Sequence, residues 1–456
     1  MADALRNAAG TETTALPQVS IDAVPRWRKL LNRIHVRSQI GWLTLRYRLV
    51  LRAVSLGTVF SVVGLVPLAY ESLRGNGFKL AVDLPLVIVI IAVATVVAWI
   101  LTSLLSYRRS AQRYRNIVIP AEERVRRRSE LSLSRPLVEA GYAVGEFRRD
   151  DGPNEFYVMS DAVNRHLGSG ASIELSLTPE QYELPESVRP FVPGLLRRLL
   201  YAKTIVHNGK LAGLRSEITP TSTSATLQRS RYLEAQSSDE IIDRLLWDIH
   251  DVEPSTDGRR LVIDEEGALK PLHLTAATNY IGVSTLVVTS DNFVYFQRQG
   301  TGSNVNAGRW APSGSGSVDF RDWKVVRREA RRRGQQPNLT MLLAFAAERE
   351  FVEEFGLDGF ALPKCDTTII GFVRLIERGG KPDFFAVTRM PMSRSDLELL
   401  MARRKQVTFR ERGLSTKAKH AILIEKNLRQ TVLNFLNEEP EQSIQNYLFG
   451  EILGRK

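Results

Sequence analysis

The 456-residue chain carries a single cysteine, Cys365, so no disulfide can form within it. That fits a reducing compartment. Histidines are also scarce, and His166, His207 and His250 stand alone, without the spacing that metal ligands show. Residues 1–25 are polar and rich in Ala and Thr, and they lack the apolar core and cleavage site of a signal peptide, so they read as a disordered tail. No internal repeat is visible. Acidic residues are in the minority, with 50 Asp and Glu against 62 Lys and Arg, a formal net charge of +12. Such a balance suits nucleic acid, anionic lipid or phosphate-bearing ligands.

Charge is missing altogether from residues 53–70 and 84–105. A bilayer core takes about 20 apolar helical residues to cross, and a soluble helix rarely runs so far without a polar face. The flanks are basic, with Arg26, Arg28, Lys29, Arg33, Arg37, Arg46 and Arg48 before the first stretch and Arg108, Arg109, Arg113, Arg115, Arg124, Arg126, Arg127 and Arg128 after the second. By the positive-inside rule both flanks are cytoplasmic. The sequence thus predicts a membrane α-hairpin of two transmembrane helices over 53–105. Residues 26–52 form a basic, amphipathic juxtamembrane segment, for which an anionic lipid bilayer is the expected partner. Residues 106–135 read as a basic helical connector. The 136–274 region is mixed α/β: 156–159 and 261–263 read as strands, 188–202 and 238–249 as helices, and 216–230 as a Ser/Thr-rich loop.

The chemistry-bearing stretch is Arg349-Glu350-Phe351-Val352-Glu353-Glu354-Phe355-Gly356-Leu357. Residues 344–354 predict an amphipathic helix with Gly356 at its C-cap. Glu350, Glu353 and Glu354 stand at i, i+3 and i+4 and share one face. Three converging carboxylates repel one another unless a hard divalent cation, Mg²⁺ or Mn²⁺, lies between them. Arg349, four residues before Glu353, is placed to hold it. The plain alternative is a charged, solvated helix face with a glycine cap.

This stretch resembles the second half of the Nudix box, Arg-Glu-apolar-x-Glu-Glu-x-Gly-apolar. Upstream, 280–298 reads as a β-hairpin turning at Ser290-Asp291-Asn292. The run from Trp310 through Gly314 and Gly316 resembles the segment that leads into that box, and 367–374 and 383–388 read as further strands. The resemblance implies an α/β Nudix-like domain over 275–456, with a mixed sheet between helices. It implies Glu350, Glu353 and Glu354 as metal ligands, with Glu353 or Glu354 doubling as general base. Arg298, Trp310, Gly314, Gly316 and Arg349 become the ligand-binding residues. The upstream half departs from the box: Gln335 and Met341 stand where it places Gly and Glu. The basic stretch 319–339 looks like an insertion, with Asp319 and Glu329 as weak substitutes for the missing Glu.

Two transmembrane helices followed by such a domain resemble effectors of bacterial CBASS antiphage systems. That likeness implies a two-pass inner-membrane protein with both termini cytoplasmic. Its expected ligand is a nucleotide, of the cyclic oligonucleotide class, and its hairpin disrupts the membrane as a homo-oligomer; no DNA or RNA partner is expected. The alternative function is a membrane-tethered hydrolase of a nucleoside diphosphate linked to another group.

Overall fold

The computed structural model describes residues 112–148, 154–201, 208–299, 308–403, 419–439 and 441–455, with 34–40, 43 and 105 before them. Nine strands form its main sheet: β1 (Ala143–Phe147), β2 (Glu155–Met159), β3 (Gly282–Val288), β4 (Phe293–Arg298), β5 (Trp310–Pro312), β6 (Gly314–Ser317), β7 (Asp366–Leu375), β8 (Lys381–Arg389) and β9 (Lys419–Leu423). They lie in the order β5-β4-β3-β8-β7-β2-β1, with β6 pairing β3 and β9 pairing β4. The central pair β3 and β8 is parallel and the other pairings are antiparallel. Both central strands are buried nearly throughout, which suits their Val- and Phe-rich runs.

Helices cover both faces. On one side lies α2 (Leu339–Phe355), preceded by α1 (Phe320–Arg332); on the other lie α3 (Leu428–Glu438) and α4 (Ile444–Gly454). The two-residue period of the strands sorts the core between them. Phe384 joins Leu342, Leu343, Ala346 and Ala347 of α2, while its neighbour Phe385 joins Phe435, Leu448 and Phe449 of the opposite layer. The α2 helix starts where the Asn338 side chain accepts from the Met341 N–H at 2.9 Å, and it ends at Gly356, whose φ of 65° is left-handed.

The 136–274 region is not separate from this sheet. It contributes β1 and β2, and β2 pairs directly with β7. A further strand, Lys210–Leu214, is stitched to the loops around β3: Ala212 donates to the Val318 carbonyl at 3.0 Å and accepts from Ile281 at 2.9 Å. Deeper still, the fully buried Arg374 of β7 donates to Glu217 Oε2 at 2.9 Å and to the Lys270 carbonyl at 2.8 Å.

Several local expectations give way to tertiary pairing. Residues 106–135 contain a strand, Tyr114–Val118, and a helix, Ala121–Ser129, divided by Pro120. The expected helix over 238–249 is a short turn, Asp239–Ile241, followed by the strand Arg244–Asp248, which pairs with Tyr114–Val118. The expected loop contains Ser224–Arg231, the middle strand of a three-stranded sheet with Glu174–Gln181 and Lys210–Leu214. The expected helix over 188–202 is broken into short turns containing Pro190 and Pro193, and 261–263 is not a strand but follows the turn Gly258–Leu261.

The membrane reading is corrected. The two expected spans lie outside the described residues, apart from Leu105. Among the described residues no helix is long and apolar enough to cross a membrane. The observed architecture is mixed α/β with several sheets. A membrane α-hairpin, a two-pass inner-membrane placement and the two-transmembrane architecture are therefore withdrawn. Two packing facts explain why the basic flanks misled. In the helix at 34–40, Val36 and Ile40 are buried with Leu43 in the protein's main core, so that apolar stripe faces protein. The arginines of Ala121–Ser129 pair with acids: Arg127 with Glu123 at 2.8 Å and Asp257 at 2.7 Å, and Arg128 with Glu377 at 2.9 Å and with Asp243.

The buried charges set two expectations for stability. Replacing Arg374 with Ala leaves Glu217 buried and unpaired, and should cost about 3–5 kcal/mol in a denaturant melt. An unchanged midpoint would refute the tie. Glu377 accepts from Arg128 and from the Phe156 N–H at 2.7 Å, yet burial pushes its carboxyl up to about 7. The folded state then holds this proton more tightly than the unfolded chain. Wild type should gain stability relative to Glu377→Gln as pH falls from about 7 toward 4.5, by at most about 1.4 kcal/mol per pH unit. Melts of both proteins at pH 5 and 8 measure the difference.

Candidate functional site

The last two turns of α2 lie against β6, and glycine decides how closely. A Cβ at Gly314 would stand 2.8 Å from the Phe351 backbone nitrogen. A Cβ at Gly316 would overlap the Glu350 carboxylate itself. The two small residues let the helix backbone approach the strand, and the Glu350 side chain fills the space left at Gly316.

Arg349 organises the carboxylates. Its Nε and Nη2 donate to the two oxygens of Asp322 at 3.0 Å each, and Nη2 also donates to the Ser317 carbonyl at 2.9 Å. Its Nη1 reaches Glu350 Oε1 at 2.9 Å and Glu353 Oε2 at 3.0 Å. Asp322 is fully buried. It lies in the first turn of α1, where Asp322 Oδ2 accepts from the Asp319 N–H at 2.9 Å and the Asp322 N–H donates to the Asp319 carbonyl at 2.9 Å. One guanidinium therefore joins α1, β6 and α2. Burial works against its charge, but Glu350, Asp322 and Glu353 prevail and raise its pKa.

Burial, with Glu354 and Glu353 close by, pushes the Glu350 carboxyl up to about 8 against the pull of Arg349. Glu354 accepts from Gln297 Nε2, a side chain of β4 that is fully buried. The other amide atom, Gln297 Oε1, is buried without a hydrogen-bond partner. Lys419 of β9, opposite Gln297 across the strands, places its Nζ 3.1 Å from the Glu354 carbonyl.

Of the residues singled out from the sequence, Glu350, Glu353, Glu354, Arg349, Gly314 and Gly316 come together here. Arg298 and Trp310 do not. They face each other across β4 and β5, on the side of the sheet that carries α3 and α4. Arg298 pairs with Glu441 and donates to the Gly308 carbonyl at 2.8 Å. The Trp310 indole donates to Glu439 at 3.1 Å and packs on Phe435. Both fasten the turn between α3 and α4 to the sheet. Asp322, Gln297 and Lys419 were missed. The Asp319-x-x-Asp322 spacing is a readable helix-start signal, whereas nothing in the run Phe293–Arg298 marks Gln297 as more than an alternating strand position. The basic stretch 319–339 is the helix α1 and its turn into α2, and it supplies the clamp on Arg349.

No known protein family and no curated protein matches this chain. The likeness to the Nudix box stays confined to one short stretch, membership of that family is not shown, and nothing links the chain to CBASS effectors. The family assignment is withdrawn. Among solved structures, DR0079 from Deinococcus radiodurans is similar over 39% of this chain and 82% of its own length, at 12% identity and a TM-score of 0.22. Similarity that weak carries no argument about fold or activity.

Among the described residues, no three Asp, Glu, His or Cys side chains stand ready around an ion. Arg349 engages Glu350 and Glu353, and Gln297 engages Glu354. The donor set nevertheless fits a hard cation. All three carboxylates offer oxygen, and Gln297 Oε1 is a buried oxygen that a cation would satisfy.

The glycine contact is directly testable. Gly316→Ala should expel the Glu350 carboxylate and destabilise the fold by about 1–3 kcal/mol. Gly170→Ala serves as a control for a glycine whose added Cβ meets nothing, although its φ of 78° carries its own strain. A Gly316 variant as stable as wild type would refute the close packing.

Proposed function

We propose that the carboxylate face of α2 binds Mg²⁺ or Mn²⁺ together with a nucleoside diphosphate linked to another group, and hydrolyses its phosphoanhydride bond. The observation that carries this reading is the Glu350 carboxylate, wedged against Gly316 with 12% of its side chain exposed and with two like charges on the same helix face. Burying such a group unrelieved is costly, and strongly perturbed carboxyls collect at functional sites.

When bound, the cation would polarise the phosphate and lower the pKa of a coordinated water. Glu350, Glu353 and Glu354 would hold it once Arg349 releases the first two. Glu353 is the most accessible of the pairs around Arg349, with 36% of its side chain exposed. It is the better placed carboxylate to take the proton from the attacking water. The water oxygen bonds to phosphorus, the bridging P–O bond breaks, and the leaving phosphate keeps that electron pair. Arg349, fixed by Asp322, acts as a positioning residue that holds Glu350 and Glu353 beside β6 until the cation takes them. Lys419, beside the end of α2, supplies a cation toward the phosphates.

A second reading is a nucleotide-binding site without turnover. The hold of Arg349 on both Glu350 and Glu353 favours it, because a ligand can dock while those ion pairs remain closed.

One pair of measurements separates the readings. Glu353→Gln with Glu354→Gln should weaken Mn²⁺ binding by calorimetry at least tenfold. It should also lower nucleoside monophosphate formation from a panel of nucleoside diphosphate conjugates by about 10²-fold or more. Mn²⁺ binding with no turnover on the whole panel supports the sensor. Wild-type protein that binds no Mn²⁺ at millimolar concentration refutes the metal site.

A further inference from the structure

Helix α1 has a second face that the carboxylate site does not use. Its buried side carries Phe320, Asp322, Trp323, Val326 and Ala330. Arg321, Lys324, Arg327, Arg328, Arg331 and Arg332 lie outside that buried set. At 100° per residue these six fall within one arc of roughly 140°, flanking the buried side. Lys324, Arg327, Arg328, Arg331 and Arg332 border one shallow hollow on the surface.

Among the described residues little neutralises them. The acid beside this flank, Glu329, pairs with Arg333 at 2.9 Å and lies 3.7 Å from Arg332. Lys324 lies over the Phe320 ring. The side chains of Arg321, Arg327, Arg328 and Arg331 have no acidic partner among the described residues. Like charges at i and i+4 destabilise a helix, so the unpaired stripe carries a cost that a polyanion would offset.

We propose that this face of α1 docks the phosphate backbone of a nucleic acid, without reading its sequence. Three features select this partner. From Arg321 to Arg332 the helix rises about 17 Å, which spans roughly five phosphates of one duplex strand. The stripe is five arginines to one lysine, and the guanidinium fork matches phosphate oxygens two at a time. Outside the buried set Val325 is the sole apolar side chain of α1 before Arg332, and it is half-buried, so the flank has no broad apolar face. An interfacial membrane helix needs such a face to enter the acyl boundary. The surface is independent of the carboxylate cluster, so either reading can fail without the other.

The test uses the full-length protein and fluorescently labelled 20-nucleotide RNA and DNA of mixed sequence, with anisotropy read from 50 to 300 mM KCl. Wild type should bind both with similar affinity, and log Kd should rise linearly with log salt. Arg327→Gln, Arg328→Gln and Arg331→Gln combined should weaken binding at least tenfold at 100 mM KCl. The salt slope should fall by about 2–3, at roughly 0.7–0.9 for each phosphate that is no longer neutralised. The matching triple Lys variant should keep most of the affinity and the slope. Thermal melts confirm that these surface substitutions leave the fold intact. Absence of wild-type binding at 50 mM KCl overturns the proposal, as does unchanged binding by the triple Gln variant. Vesicles of phosphatidylcholine and phosphatidylserine run as the competing surface. If the stripe retains vesicles and not oligonucleotides, the partner is a membrane and the proposal fails.

Discussion

Arg349 is the residue on which the geometry of the carboxylate face depends. A largely enclosed guanidinium with five donors can satisfy several acceptors only if they converge on its plane. Here Asp322, the Ser317 carbonyl, Glu350 and Glu353 do so. The same group sets the angle between α1 and α2 and seats β6 against the helix. Removing it would leave Asp322 buried with its charge unpaired, the situation in which an ion pair matters most. The site and this part of the fold are therefore one structure.

That clamp packs on a sheet whose strands come from two distant parts of the chain, 143–159 and 282–423. β1 and β2 extend the sheet from residues well before β3, and Arg374 anchors β7 to Glu217 and Lys270. The 136–274 region thus forms part of the surface against which the α2 layer packs. Its own small sheets, such as Glu174–Gln181 with Ser224–Arg231 and Lys210–Leu214, press on the start of α2, where Leu175 donates to the Pro337 carbonyl at 2.9 Å.

Positive charge has different roles in different places, and this is where reading charge by position alone went astray. Arg127 and Arg128, counted beside an uncharged run, pair with Glu123, Asp257, Asp243 and Glu377 inside the fold. Arg298 fastens a turn through Glu441. Arg321, Arg327, Arg328 and Arg331 of α1, in the stretch that looked like an insertion, have no acidic partner among the described residues. A count of basic residues carries the same value for all three, and only their partners distinguish them.

Much of the β3–β4 hairpin, of α2 with its Gly356 cap, and of β7 and β8 was legible in the sequence, because alternation, helical period and a left-handed glycine are local signals. The i, i+3, i+4 spacing of Glu350, Glu353 and Glu354 likewise determines by itself that they share a face. Strands such as Arg244–Asp248 and Ser224–Arg231 were not legible, since partners far away in the chain stabilise them against weak local preference. The fates of Trp310 and Arg298 were hidden too, because a strand's two faces are assigned by what packs on each. Tertiary structure alone brought Asp322 to Arg349, Gln297 to Glu354 and Gly316 beneath Glu350. Those contacts join residues 27, 57 and 34 positions apart, and burial, which no local pattern encodes, gives them their strength.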